Sequence, residues 1–143
     1  MNAQAVILLV EDNPGDVELT QRALRHRGVA AHTTLVARDG QQALDLVQQV
    51  CSGSGSPRPD VVLLDLHLPK IDGLEVLQQW RTQDETRDLP VVVMVSNKEQ
   101  RDDIRRDVVG ANGVLLKPLN AADFIDLVRE LGLTQLVAER PEA

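Results

Sequence analysis

The sequence predicts an α/β fold, a doubly wound parallel sheet of five strands with five helices. Short apolar runs alternate five times with longer segments whose apolar residues recur at helical spacing. The apolar runs are continuous, which is typical of strands buried on both faces of a parallel sheet. Polar residues follow directly after four of these runs. In an open α/β sheet with right-handed crossovers such positions share one edge, where ligands bind.

The strands are predicted from the apolar runs and the turn residues beside them. The third is the clearest, because four apolar residues run into a lone Asp65 and Pro69 soon blocks any continuation. The second begins with two Thr and directly follows His32, which indicates a position nearer to a sheet edge. The five predicted strands are Ala5–Val10, Thr33–Ala37, Val61–Asp65, Val91–Val95 and Gly113–Leu116.

The helices are predicted from their first residues and from apolar side chains at helical spacing. Asn13 caps the first helix with Pro14 at its first position, and Gly28 is expected to end it. Asn120 caps the last helix, which Gly132 ends. The other three are expected to start at Asp39-Gly40, at Asp72-Gly73 and at about Lys98, the last of them running to Val109.

Length and composition exclude several classes of function. With 143 residues and a net charge of −7, we expect one domain over 1–143, with a core over about 5–131 and a tail over 132–143. A nucleic-acid surface is not expected, because clustered Lys and Arg and stacking aromatics are lacking. Cys51 is the only cysteine, which excludes an internal disulfide. Neither a signal peptide nor a membrane span is visible, so we expect a soluble cytoplasmic protein.

The polar residues at the strand ends form a candidate site. Glu11 and Asp12 follow the first strand, Asp65 ends the third, Ser96 follows the fourth and Lys117 the fifth. Taken singly, Asp65 fits a turn cap and Lys117 a structural ion pair. Because four strand ends carry such groups together, we interpret them as one site.

The acids and the lysine suit magnesium-dependent phosphoryl chemistry. Glu11, Asp12 and Asp65 would repel one another without a cation. Carboxylates, a backbone carbonyl such as that of His67, and water are ligands that Mg²⁺ prefers. The metal and Lys117 would hold a phosphoryl group between them, with Asp65 as the nucleophile that forms an acyl phosphate. A transition-metal site at His67 is not supported, since three His and one Cys show no ligand pattern.

Over about residues 5–131 the chain resembles the receiver domain of two-component response regulators. The resemblance implies a flavodoxin-like sheet in the order 2-1-3-4-5, Mg²⁺ as cofactor and a sensor histidine kinase as partner. The segments VEDNPGD and DLHLPKIDG, with an insertion around Cys51–Pro59, resemble most the single-domain regulators paired with bacterial phytochrome kinases. The matching residues, in order, are Glu11-Asp12, Asp65, Leu68-Pro69, Asp72-Gly73 and Lys117-Pro118.

The resemblance also implies a role for each matching residue. Asp65 resembles the phosphoacceptor, and Lys117 resembles the lysine that binds the phosphoryl group, in a Lys-Pro peptide that is expected to be cis. Glu11 and Asp12 resemble the acids that bind Mg²⁺. His67 resembles the residue whose backbone carbonyl binds the metal.

Two positions depart from the family pattern and leave the switching mechanism open. The usual Thr or Ser stands twenty-two residues before the lysine, where this chain has Val95, and the usual aromatic three residues before the lysine is Val114. Ser96 is one residue further on, and a one-residue shift along a strand reverses the face of a side chain. We therefore expect Ser96 either to reach the phosphoryl group through a bulge or to contact it through its backbone N–H alone. His67 and Asn97 resemble positions that tune the access of water to the acyl phosphate.

The signal is expected to leave through partner binding or self-association. The resemblance implies a homodimer through the fourth helix, the fifth strand and the last helix, in which Leu133, Leu136 and Val137 of the tail would also be buried; a frayed terminus is the alternative. The sequence pattern also bears on two other functions. A phosphohydrolase of the haloacid dehalogenase type is disfavoured, because it needs Asp-x-Asp after the first strand. A receiver-like interaction module that no longer depends on phosphate remains open, because Val95 and Val114 replace the switch residues.

Overall fold

The computed structural model describes residues 4–51, 58–107 and 110–138. Within these ranges five strands form one parallel sheet, in the predicted order β2-β1-β3-β4-β5. Four strands have the predicted bounds, and the second begins one residue earlier than predicted. The strands, numbered along the chain, are β1 Ala5–Val10, β2 His32–Ala37, β3 Val61–Asp65, β4 Val91–Val95 and β5 Gly113–Leu116.

Five helices connect and follow the strands, as predicted. The first ends at Leu24 and not near Gly28, because the N–H groups of Gly28 and Val29 bind the His26 side chain and carbonyl instead of continuing the helix. Val109, the expected end of the fourth helix, lies outside the described residues. In the described ranges, no helix is long and apolar enough to cross a membrane. The helices are α1 Pro14–Leu24, α2 Gly40–Cys51, α3 Gly73–Arg81, α4 Lys98–Asp107 and α5 Ala121–Glu130.

The caps predicted from the sequence are formed. The Asn13 side chain accepts the backbone N–H of Asp16 at 3.0 Å, and Pro14 occupies the first helical position. The Asn120 side chain accepts two N–H groups at the start of α5. At the other end of α5, Gly132 adopts φ +77°, a left-handed conformation that favours glycine, and the Leu133 N–H bonds back to the Val128 carbonyl.

The sheet separates two apolar cores, because successive side chains of each strand point to opposite faces. One core, called here the α2/α3 core, contains Val91, Val93 and Val95 of β4 together with Trp80 of α3. The other, called the α1/α5 core, contains Val92 and Met94 of β4 with apolar residues of α1 and α5. The strands β1, β3 and β4 are buried along their whole length. This burial explains why their sequences are apolar without alternation.

The tail packs on its own chain as far as residue 138, so Leu136 is buried without a second copy, whereas the homodimer itself stays a prediction. A short 3₁₀ helix, Thr134–Leu136, follows α5, and Leu136 is fully buried in the α1/α5 core. Val137 forms an isolated antiparallel bridge with Val29, and the Ala30 N–H bonds to the Leu136 carbonyl at 2.9 Å. These contacts also exclude a frayed terminus as far as residue 138. Residues 139–143, the rest of the predicted tail, lie outside the described ranges.

Candidate active site

The predicted acids and the lysine meet at the carboxyl edge of the sheet. Glu11 comes directly after β1, Asp65 is the last residue of β3, and Lys117 comes directly after β5. The backbone continues the sheet at these points, since the Glu11 N–H bonds to the Ala37 carbonyl and the Lys117 N–H bonds to the Val95 carbonyl. The side chains therefore start from rigid strand ends and not from free loops. The peptide between Lys117 and Pro118 is cis, as the resemblance implied.

Lys117 joins the acids of the site. Its Nζ lies 3.0 Å from Glu11 Oε1 and 3.1 Å from Asp65 Oδ2. The Glu11 and Asp65 side chains are almost completely buried, with 1% and 4% of their surface exposed, and the Lys117 side chain is 15% exposed. When both carboxyls are ionised, these two acids and one ammonium group have a net negative charge. The site therefore favours an additional cation.

The pKa values of both Glu11 and Lys117 are raised in the site. Burial and the neighbouring Asp65 together raise the pKa of Glu11 to about 7, because the upward effect of Asp65 exceeds the downward effect of Lys117. For Lys117, burial alone lowers the pKa, but hydrogen bonds to Glu11 and Asp65 outweigh burial and raise the pKa well above its ordinary value. Lys117 is thus a permanent cation, whereas Glu11 can carry a proton near neutral pH.

The acids fit a divalent cation. One carboxylate oxygen from each of Glu11, Asp12 and Asp65 lies within 4.8 Å of the others. Asp12 is exposed while Glu11 and Asp65 are buried, so a cation from solvent would enter the site beside Asp12. Backbone N–H groups bond to one oxygen of each buried carboxylate. The Asn13 N–H donates to Glu11 Oε2 and the His67 N–H donates to Asp65 Oδ1, each at 3.2 Å. The metal role of the His67 carbonyl remains a prediction.

The sequence analysis missed Asp16 as a member of the site. Its Oδ2 lies 3.2 Å from Lys117 Nζ, so the lysine contacts three carboxylates and not two. The Asp16 side chain is 38% exposed, more than Glu11 or Asp65. Asp16 lies in the first turn of α1, which follows β1 at the same sheet edge. This position beside the carboxyl end of β1 was the signal in the sequence that could have placed Asp16 in the site.

The structure corrects the expectation for Ser96. The strands β4 and β5 pair without a bulge through Val95 opposite Leu116, and Val95 is buried in the α2/α3 core. Because Met94 of the α1/α5 core pairs with Asp65, alternation places Ser96, two residues further, on the same face as Asp65. Ser96 therefore needs no bulge to share the face of the phosphoacceptor. The one-residue difference from the family spacing falls between Ser96 and Lys117, outside the two strands.

The remaining predicted positions take different roles. Val114 is a buried member of the α2/α3 core, where the family pattern has an aromatic ring. The Asn97 side chain accepts the Gln100 N–H at 2.8 Å and so caps α4. His67 is exposed, and its Nε2 lies 3.1 Å from the side-chain nitrogen of Gln100, a residue that the sequence analysis did not single out.

Comparisons with known proteins agree with this geometry. The family model of the response regulator receiver domain matches residues 7–129. The response regulator Rcp1 of Synechocystis sp. is 37% identical over 128 residues, which cover 90% of this chain and 86% of Rcp1. The solved bacteriophytochrome response regulator AtBRR is 41% identical, with a TM-score of 0.84 over 99% of this chain and 100% of its own.

A third relative bears on the metal. The receiver domain of the Pseudomonas aeruginosa sensor histidine kinase PA1611 was solved with a magnesium ion coordinated in its active-site cleft. It is 30% identical, with a TM-score of 0.72 over 91% of this chain and 99% of its own. The fold, the strand-end acids joined by Lys117 and these matches lead to one conclusion. The chain belongs to the response regulator receiver domain family of two-component signalling.

Proposed function

We propose that the chain accepts a phosphoryl group from a sensor histidine kinase on Asp65, in a reaction that depends on Mg²⁺. One observation carries this proposal: Lys117 Nζ bridges the buried carboxylates of Asp65 and Glu11 at 3.1 and 3.0 Å. This arrangement places a cation beside the nucleophile, and the carboxylates of Glu11, Asp12 and Asp65 lie close enough together to share a metal. It fits phosphoryl transfer, in which positioning and charge stabilisation carry most of the catalysis.

The residues of the chain have separate tasks in this transfer. A bond forms between an Asp65 carboxylate oxygen and phosphorus while the phosphorus–nitrogen bond to the kinase histidine breaks, and its electron pair stays on the imidazole. Lys117, which donates to the Asp65 carboxylate before the transfer, would donate to a phosphoryl oxygen after it and stabilise the negative charge of that oxygen. When bound by Glu11, Asp12 and Asp65, Mg²⁺ would neutralise charge on the phosphoryl oxygens.

Glu11 couples this chemistry to protonation. Its pKa of about 7 means that, at neutral pH, about half of the Glu11 carboxyls carry a proton that has to leave before they bind a metal. Asp16 gives Lys117 a further carboxylate contact from α1. Ser96 lies on the face of Asp65, and we propose that it contacts the phosphoryl group through its hydroxyl or its backbone N–H.

The partner is a histidine kinase, and the similarity to AtBRR supports a bacteriophytochrome among such kinases. The output is partner binding or self-association, for which we propose the face formed by α4, β5 and α5. Leu116 of β5 and Leu127 of α5 are half-buried and support this choice. Leu136 takes no part in it, because it is buried in its own core. The added phosphoryl charge would shift an existing equilibrium between conformations.

A second candidate function is an interaction module that works without phosphate. It is favoured by Val114, an aliphatic residue packed in the α2/α3 core where the family places the switching aromatic. Under this alternative the acids and Lys117 would contribute only to stability.

One experiment separates the two functions. The intact mass of the chain is measured after incubation with acetyl phosphate, with Mg²⁺ and with EDTA. We expect one phosphoryl adduct that requires Mg²⁺ and is absent from Asp65→Asn, with Asp60→Asn as the control for a general effect of losing an acid. The lack of an adduct in every condition would refute phosphoryl acceptance and favour the phosphate-independent module.

A further inference from the structure

Gln100 connects two loops at the edge of the site. Its Oε1 accepts the backbone N–H of Ser96 at 3.0 Å, and its Nε2 lies 3.1 Å from His67 Nε2. Ser96 begins the connection between β4 and α4, and His67 belongs to the connection between β3 and α3. Ser96 shares the face of Asp65, and the His67 N–H bonds to the Asp65 carboxylate. One side chain therefore joins the two segments that flank the phosphoacceptor.

Half of this arrangement is a helix cap that also occurs elsewhere in the chain. At the start of α2, Asp39 accepts the N–H of Gln42, whose Oε1 accepts the N–H of Arg38. At the start of α4, Asn97 and Gln100 make the same two bonds with the Ser96 N–H in place of Arg38. The cap accounts for the hydrogen bond that the Gln100 amide oxygen accepts from the Ser96 N–H. It does not explain the contact of the amide nitrogen with His67.

The two contacts of Gln100 are compatible with only one tautomer of the His67 imidazole. Since the Ser96 N–H is a donor, the Gln100 atom beside it must be the oxygen, and the atom beside His67 must be the NH₂ group. An NH₂ group only donates, so His67 Nε2 must accept. This contact can therefore form only with a neutral His67 ring whose hydrogen is on Nδ1.

We propose that Gln100 is a positioning residue that clamps the β3–α3 and β4–α4 connections together and so limits the access of water and small phosphoryl donors to Asp65. The kinetic part of this inference rests on the proposed phosphorylation of Asp65. While the clamp is closed, Gln100 occupies the Ser96 N–H.

The first test reads the clamp without any phosphoryl donor. The tautomers of the imidazoles are measured by nitrogen-15 NMR at a pH where all three His are neutral. In the wild-type chain His67 is expected to have its hydrogen on Nδ1. In Gln100→Met the tautomer equilibrium of His67 is expected to shift toward the form with the hydrogen on Nε2. His32, whose Nδ1 faces the Ala30 carbonyl at 2.8 Å, is the internal reference. Gln100→Glu keeps an acceptor for the Ser96 N–H and is expected to move the His67 hydrogen to Nε2. Unchanged His67 nitrogen shifts in both variants would overturn the clamp.

The second test measures rates, with Gln42→Met as the matched control for loss of a helix cap. In Gln100→Met we expect both adduct formation from acetyl phosphate and hydrolysis of the adduct to become at least threefold faster. The rates of Gln42→Met are expected to equal those of the wild-type chain. Equal rates in all three proteins would overturn the control of access. A wild-type chain that forms no adduct would refute the proposed function instead, and the NMR test would still decide whether the clamp exists.

Discussion

Replacing Asp12 by Asn is expected to stabilise the metal-free chain, although Asp12 belongs to the proposed metal site. Asp12 is exposed, and its carboxylate lies within 4.8 Å of those of Glu11 and Asp65. Lys117 donates to Glu11 and Asp65. Without a metal, the charge of Asp12 therefore adds mainly repulsion to the folded state.

The distances give the size of the effect. Two unit charges 4.8 Å apart repel by about 0.9 kcal/mol at the dielectric constant of water. Asp12 has two such neighbours when Glu11 is ionised, and attraction to the Lys117 ammonium group offsets roughly one of the two repulsions. We therefore expect Asp12→Asn to raise the free energy of unfolding by about 1 kcal/mol at pH 8 and low salt.

Urea denaturation at pH 8 in EDTA measures this gain. With an m-value of about 2 kcal/mol/M, the midpoint is expected to rise by about 0.5 M. Added Mg²⁺ is expected to stabilise the wild-type chain but not the variant, since a ligand stabilises only the state that binds it. Asp126→Asn, at an exposed position of α5, is the control and should leave the midpoint unchanged. A variant that is no more stable than the wild-type chain in EDTA would refute the electrostatic reasoning.

Two further predictions concern the site and the tail. The pKa of Glu11 is about 7 in the folded chain and 4.5 in the unfolded chain, so between these pH values the folded chain keeps a proton that the unfolded chain loses. Without a metal, the free energy of unfolding is therefore expected to fall by about 3 kcal/mol as the pH rises from 4.5 through 7. Urea midpoints at pH 5 and pH 8 test this, and an equal fall in Glu11→Gln would contradict it. Leu136→Ala is expected to cost about 2–5 kcal/mol, since it empties a fully buried position, whereas Leu19→Ala, at an exposed position, is expected to cost little. A cost below about 1 kcal/mol for Leu136→Ala, together with a changed sedimentation coefficient, would indicate that the tail packs on a second copy.

The sequence alone was sufficient for the order and type of the elements and for the centre of the site. Strands buried on both faces appear as continuous apolar runs, and their ends are marked by the first polar residue. In a parallel sheet all carboxyl ends lie at one edge, so Glu11, Asp65 and Lys117 could be placed together without coordinates. The local signals at Asn13 and Asn120 also sufficed, because a helix cap depends only on neighbouring residues.

Only the tertiary structure decided contacts between residues that are distant in sequence. The pairing of β4 with β3 and β5 decides which face of the sheet Ser96 occupies. The family spacing between the hydroxyl residue and the lysine includes the helix α4, and in this chain that spacing is one residue shorter for Ser96, so the spacing alone pointed to Val95. Asp16 meets Lys117 across 101 positions, and Gln100 meets His67 across 33. Leu136 is buried because the chain after α5 turns back onto the α1/α5 core. Such contacts depend on how elements are arranged in space, and no periodicity within a single segment carries that information.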